Sequence, residues 1–73
     1  MYTVDQLCQI ASYGGGLELN AKSYTHDQLS TIASYASNKG ARITIDLIDR
    51  KFTSDQLCTI ASFGKGCVSF KNL

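Results

Sequence analysis

The chain has no proline, only three cysteines and almost no surplus of charge. Each shortage closes a route. Without proline, the turns must rest on the six glycines, which reach backbone conformations that other residues avoid. Lysine and arginine number 7 against 6 aspartates and glutamates, a net charge of +1. No strong field is there to draw in nucleic acid or an anionic membrane. An odd count of three cysteines falls short of a secreted disulfide framework, and their positions lack metal-ligand spacing. No apolar run approaches the roughly 20 residues that span a bilayer. The opening residues, MYTVDQ, have neither the basic nor the apolar region of a secretory signal. Reduced thiols without an export signal lead us to expect a cytoplasmic protein, with no membrane association and no cofactor. The 73 residues, 44% hydrophobic and 18% charged, read as a single domain over 1–73 with ordinary globular composition. A chain this short buries only about 60% of its unfolded surface, so self-association or a partner is expected to add stability.

What is present is a repeat. Residues 2–13, 24–35 and 52–63 read YTVDQLCQIASY, YTHDQLSTIASY and FTSDQLCTIASF, and align without gaps. Thr, Asp, Gln, Leu, Ile, Ala and Ser are shared by all three, and both ends are always aromatic. The chain divides into three copies of one unit, 2–23, 24–51 and 52–73.

Each unit opens with the signature of a helix start. Thr3, Thr25 and Thr53 are followed three residues later by Gln6, Gln28 and Gln56, the spacing of a capping box in which hydroxyl and amide satisfy opposite ends of the first turn. Tyr2, Tyr24 and Phe52 are placed to pack on Leu7, Leu29 and Leu57 as hydrophobic staples. Asp5, Asp27 and Asp55 lie where the helix dipole favours negative charge. Together these signals contribute about 1–3 kcal/mol per helix. Leu, Ile and Ala at i, i+3 and i+4, as in Leu7, Ile10 and Ala11, make an apolar stripe. Glycine then stops the helix: Gly14, Gly15 and Gly16 in the first copy, Gly40 in the second, Gly64 and Gly66 in the third.

Beyond each glycine the period changes to 2. Leu17, Leu19 and Ala21 alternate with Glu18, Asn20 and Lys22, and Ile43, Ile45 and Leu47 with Arg42, Thr44 and Asp46. Val68 and Phe70 alternate with Ser69 and Lys71. These runs predict half-buried strands over 17–22, 42–47 and 68–73. Strands joined by one helix are parallel neighbours with right-handed crossovers. The expected fold is therefore α/β: three helix–strand repeats forming a short right-handed solenoid, with a three-stranded parallel sheet, helices on one face and a polar face opposite.

Residues 40–61, GARITIDLIDRKFTSDQLCTIA, resemble a leucine-rich repeat of the strand-plus-helix kind, and the likeness extends over almost the whole chain. It departs where that family carries Asn or Cys three residues beyond the second apolar strand position, which here is Lys22, Ile48 and Leu73. The resemblance implies protein binding on the exposed strand face. Residues 3–16, TVDQLCQIASYGGG, also resemble the first helix of the DNA-reading repeats of TAL effectors. That likeness would put Tyr13 and Gly14, Tyr35 and Ala36, and Phe63 and Gly64 at the base-reading pair, but it ends where this chain turns into strands.

On the expected sheet, Glu18, Thr44 and Ser69 form one outward row and Asn20, Asp46 and Lys71 another, with Arg42 at the edge. These seven are the candidate partner-binding residues, a mixed polar set suited to a protein contact. Tyr13, Tyr35 and Phe63 are expected to pack in the core at the helix ends. Cys8 and Cys58, matched by Ser30, are expected at close helix–helix contacts, and His26 is expected to be exposed. No thiol has an evident activating neighbour, and no Ser–His–Asp or paired-carboxylate set converges on a pocket. Both outer strands are expected to leave backbone groups unpaired, and the last is expected to lack a covering element. The expectation is a non-catalytic protein-interaction module that self-associates or takes a partner's strand, whose protein partner the sequence leaves unidentified. A nucleic-acid-binding module using the helix ends is the alternative.

Overall fold

The computed structural model describes residues 2–73. Helix α1 (Val4–Ser12), strand β1 (Leu17–Asn20), α2 (His26–Lys39), β2 (Ile43–Asp46), α3 (Ser54–Gly64) and β3 (Val68–Lys71) follow in strict alternation. All three helices start as their sequence dictates. Thr3, Thr25 and Thr53 hold extended backbone, and their hydroxyls accept from the amides of Gln6, Gln28 and Gln56 at 3.2 Å. The glutamine side chains return the bond, accepting from the threonine amides at 2.9 to 3.0 Å. Each box thus satisfies two donors that an open helix end would leave unpaired.

The helix ends differ from one another. Helix α2 closes as expected, on Gly40 in the left-handed region at φ 68°, while Ala41 donates to the Ala36 carbonyl at 3.0 Å. In the third copy Gly64 does not stop the helix. It is the last helical residue, and Lys65 takes the left-handed position at φ 49°. Gly64 is needed for space instead: a Cβ there would lie 2.2 Å from Val68 Cγ2 and 3.1 Å from Val68 Cβ.

The three strands form one parallel sheet in chain order. Leu19, Ile45 and Phe70 share one inward row, and Leu17, Ile43 and Val68 the other. The outer strands are shorter than the alternation predicts. Asn20 Oδ1 accepts from the Lys22 amide at 2.8 Å and turns the chain into a 3-10 helix, Ala21–Ser23. At the far end β3 stops at Lys71, and Asn72 adopts φ 60°. Helix α2 packs against both α1 and α3. Between the helix layer and the sheet lie the fully buried Leu29, Ile32, Ile43, Ile45, Leu47 and Ile60. The opposite face of the sheet is polar and open to solvent.

Replacing Gly64 by alanine tests the close approach of α3 to β3. In an exposed helix the change gains about 0.5–1 kcal/mol, but overpacking costs about 1–3 kcal/mol, and valine has little rotamer freedom to retreat. Gly64→Ala should therefore lower the urea midpoint of unfolding. An unchanged or raised midpoint would remove the packing argument.

Candidate partner-binding surface

The register sets Glu18, Thr44 and Ser69 in one lateral row and Asn20, Asp46 and Lys71 in the next, as the alternation predicts. The charges are tied diagonally. Lys71 Nζ donates to Glu18 Oε1 at 2.8 Å, reaching across the middle strand, and lies 3.9 Å from Asp46 Oδ2. Asp46 Oδ1 accepts from the Asn72 side-chain amide at 2.8 Å and from the Ile48 amide at 3.0 Å. These two bonds, with the nearby Lys71 and Lys51, hold the Asp46 carboxyl below the ordinary carboxylate range. The hydrogen bond to Glu18 is the main cause that holds the Lys71 ammonium above its usual range. The Lys71 and Glu18 side chains are exposed, so the tie between them directs side chains more than it stabilises the fold.

Six of the seven candidate residues thus share one surface. The seventh, Arg42, is exposed and lies one residue before β2. It extends the central strand rather than an edge, its carbonyl accepts from the Leu17 amide at 3.0 Å, and among the described residues its guanidinium has no ion-pair partner. Two residues outside the alternation also join the surface: Asn72 at Asp46, and Asp49, whose Oδ2 accepts from Asn20 Nδ2 at 2.8 Å. Both lie in the turns just beyond the strands, where a period-2 pattern carries no signal. The result is a polar plate whose charges answer one another, with no concentrated field of either sign.

A second surface lies at the C-terminal end of the sheet. Cys8 and Ala11 on α1 are buried, as are Ser30 and Ala33 on α2. Their counterparts on α3, Cys58 and Ala61, are exposed, and Leu57 is only half-buried. Below them Val68 and Phe70 are also half-covered, along the outer edge of β3. The close helix contact expected for Cys8 and Cys58 is therefore met at Cys8 and Ser30 but not at Cys58, because among the described residues no helix packs on the far side of α3. Burial, and then the nearby Asp5 charge, push the Cys8 thiol up, which leaves it a poor nucleophile.

The three aromatics expected in the core at the helix ends lie at the surface instead. Tyr13 is 84% exposed, and Tyr35 and Phe63 are exposed too. Three residues advance a helix by about 300°. Each aromatic therefore lies about 60° beyond the stripe isoleucine, on the side away from alanine. Tyr35 and Phe63 flank a shallow groove of about 290 Å³ between α2 and α3, with Asp27, Thr31 and Thr59 on its walls. Its one charged group is an aspartate, which offers nothing to a phosphate backbone. Among the staple residues, Tyr24 is buried and donates to the Tyr2 carbonyl at 3.1 Å. Phe52 is half-buried under the Arg50 guanidinium, 5.0 Å from its ring centre. Tyr2, however, is exposed. His26, expected in solvent, is half-buried: its Nδ1 is 3.3 Å from Gln56 Nε2, and its ring meets Phe52 edge-on at 6.3 Å.

Among the described residues no three His, Cys, Asp or Glu side chains come together as a metal site. Among the same described residues no helix is long and apolar enough to cross a membrane. Comparison with known protein families, curated proteins and solved structures finds no match for this chain.

The Asp46 bonds make a pH prediction. A carboxyl held low in the folded state adds stability above its unfolded value, near 3.9, and that stability is lost as pH falls through the folded value. From about pH 5 to about pH 2 the melting temperature should fall further for the native chain than for Asp46→Asn. Equal falls would show that the Asn72 and Ile48 bonds do not favour the ionised form.

Proposed function

We propose that the chain is a non-catalytic protein-interaction module that binds through the C-terminal end of its sheet. One observation carries this reading: Cys58 and Ala61 are exposed and Leu57 only half-buried although the same positions of the first two copies are buried, and they lie beside the unpaired edge of β3. An incomplete apolar junction and an open row of backbone donors and acceptors together suit an added strand with an apolar cover. The polar plate of Glu18, Asn20, Thr44, Asp46, Ser69 and Lys71 then acts as the rim of the contact, where paired charges orient a partner more than they hold it. The strict helix–strand alternation and the sequence likeness to leucine-rich repeats support this reading, since a stack of such units is built to be continued. The nucleic-acid alternative draws support only from the exposed Tyr13, Tyr35 and Phe63, and the groove between the last two carries an aspartate instead of a cation.

The test compares two variants in protein capture by the immobilised chain, each first checked by circular dichroism. Ala61→Arg places charge on the uncovered junction and should abolish stoichiometric capture. The double change Asp46→Lys with Lys71→Glu disturbs only the rim and should leave most of it. Capture that survives Ala61→Arg and is lost in the double variant would move the contact to the strand face and sink the assignment to the sheet end.

A further inference from the structure

We propose that the partner at the sheet end is a second copy of this chain, docked head to tail, with its α1 and β1 continuing the helix layer and the sheet beyond α3 and β3. The inference rests on the reading of that end as a binding surface and names its occupant. Two junctions of the same kind already lie inside the molecule, between α1 and α2 and between α2 and α3.

Each helix uses one side of its stripe toward the preceding copy and the other toward the following one. Ile32 and Ile60, which have a preceding helix, are completely buried, whereas Ile10, which has none, is 36% exposed. Cys8, Ala11, Ser30 and Ala33, which have a following helix, are buried, whereas Cys58 and Ala61 are not. The internal junction is therefore an isoleucine of one helix set against small residues of the helix before it. The two ends of the chain carry the two unmatched halves of that junction: Ile10 at one end, Cys58 and Ala61 at the other. The residue types are the same as those that already fit, so the end surfaces are complementary in shape and in chemistry.

The aromatics and the strands agree. Tyr24 is buried at the first internal junction, where its hydroxyl donates to the Tyr2 carbonyl. Tyr2 is 64% exposed and, in a second copy, would occupy the equivalent place against Phe52. Carried one strand further, the observed register sets Val68, Ser69, Phe70 and Lys71 beside Leu17, Glu18, Leu19 and Asn20 of a second copy. Phe70 and Leu19 then meet on the buried face. On the open face the Lys71 ammonium lies diagonal to a second carboxylate, Glu18 of that copy, a favourable cross-strand pair. Every edge group of β3 would find a partner. Such a contact joins unlike surfaces, so it does not close after two copies but continues while both ends are free.

The experiment measures mass by light scattering after size exclusion, on the untagged chain over a wide concentration range. The native chain should rise with concentration from 7.9 kDa to a distribution of multiples. Ile10→Asp blocks one end and Ala61→Arg the other; both positions are exposed in the single chain, so each variant should stay folded and monomeric. Mixed, the two variants retain one complementary pair of ends and should give a single 1:1 species of twice the monomer mass. Alkylation at Cys58, followed by peptide mass, should slow as the native chain is concentrated and remain unchanged in Ala61→Arg. A native dimer that persists in Ile10→Asp and dissociates in Ala61→Arg would mean symmetric pairing of like ends and overturn the head-to-tail arrangement. A monomer at every concentration would overturn self-stacking altogether. If Ala61→Arg then still abolished capture of another protein, the sheet end would remain the binding surface with a different occupant; if it did not, both readings would fail.

Discussion

The structure depends on a lateral contact: no single helix–strand unit of this chain can bury its own apolar surface, and each is completed only by the unit beside it. A four-residue strand and a helix of nine to fourteen residues cannot enclose a core between them. Set side by side in parallel, they share one: of the large fully buried side chains, Leu29, Ile32, Ile43, Ile45 and Leu47 belong to the second copy, which has a neighbour on both sides, and Ile60 to the third. Ile32 and Ile60, each with a helix before them, are fully buried, and so are Ala11 and Ala33, each with a helix after them. Exposure therefore follows a residue's rank in the series rather than its identity.

Local signals decide where each unit starts, and tertiary contacts decide how it ends. The three capping boxes are nearly superimposable in their hydrogen-bond lengths, because everything they need lies within four residues. The helix ends are not alike. Gly40 meets a backbone requirement, whereas Gly64 meets a spatial one set by Val68 on a different element. The same residue type at nearly the same place in two copies thus has two physical origins, and only one of them is local.

This division explains what could be read from the sequence. The order of elements, the parallel sheet and the two outward rows were legible because capping boxes, glycines and a period of 2 are short-range patterns. Strand length was less so, since the Asn20 side chain turns the chain at Ala21 while the hydropathy alternation runs on to Lys22. The aromatics were misread because a helical stripe has an angular width, and Tyr13, Tyr35 and Phe63 lie just outside it. His26 was misread because its cover, Phe52, belongs to the following copy. Near-identical copies posed the deepest difficulty: Cys8 and Cys58 occupy equivalent positions in closely similar segments, and only the number of neighbours separates a buried thiol from an exposed one.

The diagonal tie from Lys71 to Glu18 also bears on how the chain reaches this arrangement. The two residues are 53 positions apart, on the first and last strands with α2, β2 and α3 between them. Contacts between adjacent units close shorter loops, so they form at smaller entropic cost. The middle unit touches both others and is the natural place for order to begin and spread outward. The Lys71 ammonium can find Glu18 only once both flanking strands have docked on β2. The tie is thus a product of completed folding rather than a guide to it, and the little stability it adds bears on the unfolding rate and not on the folding rate.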